Sequence, residues 1–404
     1  MNFESQTDPI PPVRRDLDLI PLENNGREIL YLHDAMQYMD PNFALDQKVE
    51  PILSLITGRH SVKNICDLLN NSITPEELSG FIHFLDTNLV LDSKNFRHRA
   101  EEIESEFESA PAREPALAGL SYPDDPDKLK TFISEMLIDA NSSSYTPVKG
   151  LFAPHIDLRV GKQCYAEAFS TLSSLRPRRV VILATAHYSG MYEKQYHGKP
   201  FIGSLKNYRL PGSVLKTDKS YIDQLSKSPD ETGFTLQDRA HRIEHSIESH
   251  LIFIDQIWDH SFSIVPILTG SLDELFYKPD GDIGTKLQNF SKLLKQLDDD
   301  DTFYLISGDL AHVGKKFGDT VSAEKLRPKV EKSDRAFLET ALSGDPDKLQ
   351  KHVSKEYDPY RICGFPPLTA FLQAFPGTIG KELSYELWDE SERESAVSFA
   401  AIGF

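Results

Sequence analysis

Histidine is the side chain to follow in this sequence. In its neutral form it is the commonest protein ligand for transition metals, and it titrates near neutral pH. Thirteen histidines occur, and those that could do chemistry fall in a few places. His155 stands in APHIDLRVG, after a short apolar run, with Pro154 to end that run and Gly161 to permit a tight return. His187 ends the run RRVVILATAHYSG, QDRAHRIEHSIESH carries Glu244, His245, Glu248 and His250, and SGDLAH carries Asp309 and His312. Imidazoles gathered near carboxylates can hold a divalent ion or move a proton, with a carboxylate fixing the tautomer of its histidine. His245 is expected near a helix start, where the positive end of the helix favours an anionic ligand and keeps an imidazole neutral. His250, three residues after Ile247 and four before Ile254, is expected to face the core of the same helix. His241, Glu244 and His245 also spell HxxEH, the inverted zinc-protease motif. That reading leaves the histidines at the run ends unexplained. Cys363, in RICGFPP before a proline-started helix, reads as a buried structural thiol.

Distant residues of this kind need a scaffold that collects them. Four short, mostly apolar runs, 149–153, 179–184, 262–268 and 303–306, each stop at a polar or turn-forming residue, as buried parallel strands do. Helical patterns alternate with them: 161–172 with Tyr165, Phe169 and Leu172 inward, 287–297, and a long helix from near Ser322. Two strands close the chain, one through Leu383, Tyr385 and Leu387 and one in AVSFAAIGF. FIGSL and YRLPGSVL, between 192 and 215, read as a hairpin or a lid over the sheet edge. The fold class expected is α/β, a mostly parallel central sheet with helices on both faces. Such sheets place their sites at the carboxyl ends of the strands. Neighbouring strands would bring His155, His187, Asp309 and His312 into one cleft.

The chain has 404 residues and a formal net charge of -18, against non-specific binding to nucleic acid or anionic membranes. No apolar run approaches the roughly 20 residues of a spanning helix, and MNFESQTDPIPPVRR has no apolar signal core. A soluble, cytoplasmic protein is expected. Three scattered cysteines fit a reducing compartment. Residues 1–98 read as a small winged-helix-like α+β domain: Ser61 caps one helix, Thr74, Pro75 and Glu77 start another as a capping box, and Leu89–Leu91 is expected as a strand. The would-be recognition helix holds Glu76, Glu77 and Asp86 without lysine or arginine, so a protein or peptide partner suits it better than DNA. Residues 99–118, acidic and then rich in alanine and proline, read as a linker, and 119–404 as the α/β domain.

The segments GLSYPDDPDKL, LFAPHIDLRVGKQCYAEAF, VVILATAHYSG, RIEHSIESHLIFI, FSIVPILTGS, YLISGDLAHVGKKFGD, YRICGFPPL and SAVSFAAIGF occur in the order found in the Memo family. From Gly119 to Phe404 the chain resembles the bacterial branch called AmmeMemoRadiSam system protein B. The resemblance implies a fold like the class III extradiol dioxygenases, with a metal in the cleft. Two family ligands fall on His155 and His187, and the family's pocket histidine falls on His245. The third family ligand, a cysteine, falls on Ala311, which cannot bind metal. Glu248 or Asp309 could act as a carboxylate in its place, and Asp309 and His312 are further candidates for acid, base or tautomer-fixing roles.

The leading expectation is a metal-binding protein with a dioxygenase-like cleft. Iron or copper is the expected ion, with zinc the further option, and redox chemistry would act on a small aromatic or similarly planar substrate. A second expectation is a non-catalytic adaptor that holds a peptide or an anionic ligand in the same cleft. The third is the HxxEH zinc protease. The family name further implies an association with a radical SAM enzyme.

Overall fold

A computed structural model of the chain describes residues 6–138, 140 and 145–404. The first five residues of the amino-terminal stretch lie outside it. The chain divides into two compact units, Met1–Ser109 and Ala110–Phe404.

The first unit starts with an antiparallel hairpin, β1 (Leu17–Asn24) and β2 (Arg27–Asp34), to which β3 (Ala44–Asp46) adds. Asn25 and Gly26 form its two-residue turn, both with positive φ, the conformation that the Asn-Gly pair favours between twisted strands. Four helices follow: α1 (Glu50–Leu55), α2 (Val62–Leu68), α3 (Pro75–Thr87) and α4 (Lys94–Ser109). Ser61 and Thr74 head α2 and α3 as capping boxes, as their spacing predicts. Leu30, Leu32, Ile65, Leu78, Ile82 and Leu85 close the core between hairpin and helices. Two expectations are corrected here. The winged-helix strand at Leu89–Leu91 is a single bridge, Val13 to Leu91, and the unit's sheet precedes its helices. The first half of the expected linker is α4, whose outer face is charged and whose inner face, Phe96, Ala100 and Glu104, repeats every fourth residue.

The second unit is built on a mixed, mostly parallel 12-stranded sheet. In chain order it runs β4 (Ala112–Arg113), α5 (Pro126–Ile138), β5 (Gly150–Ala153), α6 (Lys162–Ser170) and β6 (Arg179–Thr185). Then come α7 (Glu193–Tyr196), β7 (Phe201–Gly203), β8 (Asn207–Leu210), β9 (Ser213–Thr217), α8 (Lys219–Leu225), α9 (Pro229–Thr232) and β10 (Phe234–Thr235). The second half holds α10 (Glu248–Ile257), β11 (Ser263–Thr269), α11 (Asp282–Leu297), β12 (Thr302–Ser307), β13 (His312–Gly314) and α12 (Ala323–Leu342). It closes with α13 (Pro346–Ser354), α14 (Phe365–Ala374), β14 (Lys381–Glu390) and β15 (Ser395–Gly403). YRLPGSVL is the β8–β9 hairpin, turning at Pro211 and Gly212, while FIG forms β7, antiparallel to β11.

The strand order is β13-β15-β5-β12-β6-β11-β9-β8-β4. β5, β12, β6 and β11 are parallel neighbours in that order. Side chains alternate between the two faces, so Leu151, Ile182 and Leu305 join a core with α5, α6 and α10, while Phe152, Leu183 and Ile306 join one with α8, α11 and α14. Burial on both faces explains why these strands read as unbroken apolar runs rather than alternating ones. Among the described residues no helix is long and apolar enough to cross a membrane.

The second half of the expected linker is also structure. Arg113, 1% exposed, donates to the carbonyls of His241 (2.8 Å) and Glu244 (2.6 Å) and pairs with the buried Glu248. Glu248 further accepts the backbone N–H groups of Ala116 (2.8 Å) and Leu117 (2.9 Å) and the hydroxyl of Tyr122. These bonds strap residues 112–122 to the turn before α10. A buried ion pair that loses one partner strands the other charge, at a cost of about 3–5 kcal/mol. Arg113→Ala is therefore expected to destabilise the protein by about that much in chemical denaturation. The Arg113→Ala/Glu248→Ala double variant should lose less than the sum of the two singles.

Candidate metal centre

Register is what assembles the site. Ser307 of β12 pairs with Ala153 of β5 on one side and with Ala184 of β6 on the other, so the three strands end level. Within two or three residues of that line the chain carries His155, Asp309 and His187. The ring centroids of His155 and His187 are 4.7 Å apart, edge to face. The turn before α10 adds His245, stacked on His187 at 4.8 Å and edge-on to His155 at 5.3 Å. His245 lies three residues ahead of α10 rather than in its first turn, and its carbonyl accepts the Ser249 N–H at 2.9 Å.

Two of the three imidazoles have Nδ1 tied to a fixed partner, which sets the orientation of the ring. The Ser307 hydroxyl donates to the carbonyl of Ser246 (2.7 Å), so toward His155 Nδ1, at 3.1 Å, it can only accept. His155 therefore carries its proton on Nδ1 and presents an Nε2 lone pair to the cleft. His187 places Nδ1 2.9 Å from Glu244 Oε1 and its backbone N–H 2.7 Å from Oε2. Glu244 also accepts the backbone N–H groups of His245 (3.0 Å) and Ser246 (3.2 Å), and its Oε1 lies 3.3 Å from His245 Nδ1. One buried carboxylate thus orients two imidazoles, the arrangement that metal-binding histidines use.

Cys363 completes the group. Its Sγ lies 3.4 Å from His155 Nε2, and it is half-buried rather than the enclosed structural thiol that RICGFPP suggests. One ligand atom each from His155, His187 and Cys363 lie within 4.8 Å of one another. Two glycines make this possible. A Cβ on Gly308 would meet Gly364 Cα at 2.1 Å, and one on Gly364 would meet the Asp309 carbonyl at 2.8 Å, so only bare backbone lets the two loops touch. Gly364 N–H then donates to the Asp309 carbonyl (2.8 Å), and Asp309 N–H to Cys363 Sγ (3.2 Å). The paired glycines in SGD and ICG were the available signal for Cys363, but a close approach between loops 54 residues apart is invisible without the fold.

The other expected residues fall in distinct places. Asp309 accepts the His155 N–H at 3.0 Å, with Oδ2 3.7 Å from His155 Nε2, and forms a second potential ligand group with His312 and Cys363. His312 Nδ1 is 3.1 Å from the carbonyls of Leu310 and Arg361, so it too carries its proton there. Ala311 is fully buried: its N–H donates to the Ser398 hydroxyl at 2.9 Å and its carbonyl accepts the Ser398 N–H at 2.9 Å. Glu248 is spent on Arg113, Tyr122 and backbone donors, which removes it as a metal-ligand candidate. His250 is buried as expected, with Nε2 2.9 Å from the carbonyl of Pro154. The HxxEH reading is overturned: His241 is buried between the Tyr208 hydroxyl (2.7 Å) and the Ile202 carbonyl (2.9 Å), so both ring nitrogens are already used.

Electrostatics sort the groups. Burial, then the neighbouring imidazoles, holds His155 well below the usual histidine range. Burial would lower His187 too, but the Glu244 carboxylate and the Cys363 sulfur outweigh it and raise it well above that range. Burial would raise Glu244, yet His187 draws it down to about 2. Burial and then His187 lower His245 to about 4, leaving it neutral at pH 7. Burial lifts Asp309 to about 7 and pushes the Cys363 thiol up.

Two outcomes are expected. Gly364→Ala should cost about 1–3 kcal/mol through overpacking and expose Cys363, seen as faster reaction of its thiol. Glu244 binds its proton more weakly in the folded chain, at about 2, than at its ordinary 4.5. Its stabilising effect is accordingly present above 4.5 and lost as pH falls toward 2. The stability gap between the wild type and Glu244→Gln should narrow over that window in acid titration, and a constant or widening gap would contradict the assignment.

Comparison with known proteins agrees with this architecture. The family model described as Memo-like protein matches residues 113–403. A "MEMO1 family protein" of Aquifex aeolicus is 28% identical over 364 residues, covering 87% of this chain and 90% of the relative. "Protein MEMO1" of Danio rerio is 27% identical over 305 residues, covering 72% and 96%. A "MEMO1 family protein" of Thermus thermophilus is 26% identical over 322 residues, covering 77% and 87%. With the family model spanning nearly all of the second unit, this chain belongs to the Memo-like protein family.

Proposed function

We propose that the chain is a transition-metal protein whose ion is held by Nε2 of His155, Nε2 of His187 and Sγ of Cys363. One observation carries this reading. Both Nδ1 atoms are engaged by Ser307 and Glu244, which leaves the Nε2 atoms for an ion, and one ligand atom each from His155, His187 and Cys363 lie within 4.8 Å of one another. Two imidazoles and a thiolate suit iron, copper or zinc rather than magnesium or calcium, which prefer oxygen. On this reading Cys363 supplies the sulfur that Ala311 cannot.

A bound iron or copper would supply redox chemistry and an electrophilic position open to a small ligand. The protein's own groups would do the rest. Glu244 keeps His187 and His245 in place, and His245, neutral at pH 7, is positioned as a base for a ligand entering beside the metal position. Asp309 fixes the His155 backbone and, with a proton affinity near neutrality, is the matching acid. We extend the reading to the fold: a mostly parallel sheet with its site on the strand rim supports kinship with the class III extradiol dioxygenases.

The test is metal loading of full-length protein purified without a histidine tag. His155→Ala and His187→Ala should lose bound iron, copper or zinc while keeping their far-UV spectra. Cobalt loading should give a thiolate charge-transfer band that disappears in Cys363→Ser. Unchanged metal content in His155→Ala, or a wild type that takes up no metal from excess, would refute the proposal.

A further inference from the structure

A cavity of about 470 Å³ lies between α12, α13 and the loop that follows α13. None of His155, His187, His245 or Cys363 lines it. Its size falls within the roughly 300–1,000 Å³ of small-molecule sites. In a chain of net charge -18, Lys329, Lys332 and Lys355 line this one cavity, with Glu356 and Asp358 as its acidic members. The three lysines are exposed, and no ion pair or hydrogen bond engages their side chains among the described residues. Asp358 accepts the Ile362 N–H through Oδ2 at 2.9 Å.

Helix-end electrostatics do not account for the cluster. Lys355 caps the carboxyl end of α13, where a cation is ordinary. Lys329 and Lys332, however, sit in the interior of the 20-residue α12, three residues apart on one face, where like charges repel. An anion would relieve that repulsion. Three ammonium groups exceed what one carboxylate needs and match a phosphate monoester, with its charge of about -1.5 to -2. Val353, Tyr360, Ile362 and Ala336 add apolar wall for the rest of such a molecule.

The same cavity abuts the loop that delivers Cys363. Tyr357, Asp358 and Arg361 all have positive φ, an uncommon state for residues with a side chain. The Tyr360 carbonyl accepts the His312 N–H at 2.7 Å, and Arg361 Nε donates to the His312 carbonyl at 2.9 Å. Tyr360 and Ile362, both lining the cavity, therefore flank the residue that grips His312, and Cys363 follows directly.

We propose that this cavity binds a small phosphate-bearing molecule and that its occupancy alters the loop carrying Cys363. The binding does not depend on the metal reading, and both parts can be tested on metal-stripped, full-length protein. Titration with phenyl phosphate at low salt should show saturable one-to-one binding, tighter than with inorganic phosphate and weakened by added salt. Lys329→Gln/Lys332→Gln should lose at least tenfold in affinity, and Lys325→Gln, on the same helix but outside the cavity, should not. Because Cys66 and Cys164 are buried, the reaction rate with a thiol reagent reports Cys363. That rate should change when phenyl phosphate binds the wild type and stay constant in the double variant. Absence of saturable binding, or equal affinity in the double variant, would overturn the site. Binding with an unmoved thiol rate would overturn the coupling.

Discussion

Three parallel strands that end level with one another are the constraint on which the rest of the second unit depends. Backbone hydrogen bonds fix Ser307 opposite Ala153 and Ala184, and so fix where each chain leaves the sheet. A slip of one residue in any of these strands would turn every side chain to the opposite face. That is forbidden here, because both faces carry packed cores. The hydrophobic effect thereby specifies the position of polar groups it never touches: with the register set, His155, Asp309 and His187 have to emerge side by side.

Emerging together is not enough to make a site, since three imidazoles in contact could adopt many protonation and ring orientations. The buried carboxylate of Glu244 removes that freedom. It accepts bonds from His187, His245 and Ser246, which lie on two separate elements, and the turn that carries it is held from behind by Arg113 and Glu248. The nested arrangement runs from an ion pair with no access to solvent, through a carboxylate, to the two ring nitrogens that face the cleft. The ion pair and the carboxylate are equally buried, and only the imidazoles of His187 and His245 are partly exposed, as expected where rigid support surrounds reactive groups.

Much of the first unit's helical content could be read directly, because Ser61, Thr74 and Glu77 are local signals that act within four residues. Its hairpin was harder to see. β1 is largely exposed, and its residues LDLIPLEN include a proline, which suppresses the strand pattern even though Asn25-Gly26 marks the turn. Helix α4 was hidden for the opposite reason: its sequence is dominated by the charged outer face, and only Phe96, Ala100 and Glu104 reveal an inner one. Arg113 looked like part of a linker because nothing in its neighbourhood names a partner 135 residues away.

The amino-acid order alone determined the class of fold, the strands of its centre, the gathering of His155, His187, Asp309 and His312 at their ends, and the approach of His245 to the same edge. Apolar periodicity and abrupt strand ends are local, and parallel sheets put their polar groups at one edge. Tertiary structure decided which side chains of that neighbourhood converge. It turned His241 and Glu248 away into hydrogen-bonded cores, left Ala311 buried and bonded to Ser398, and brought Cys363 to His155 across two glycines. Those choices depend on packing between segments far apart in the chain, where the identity of a residue says what it could do but not what it will meet.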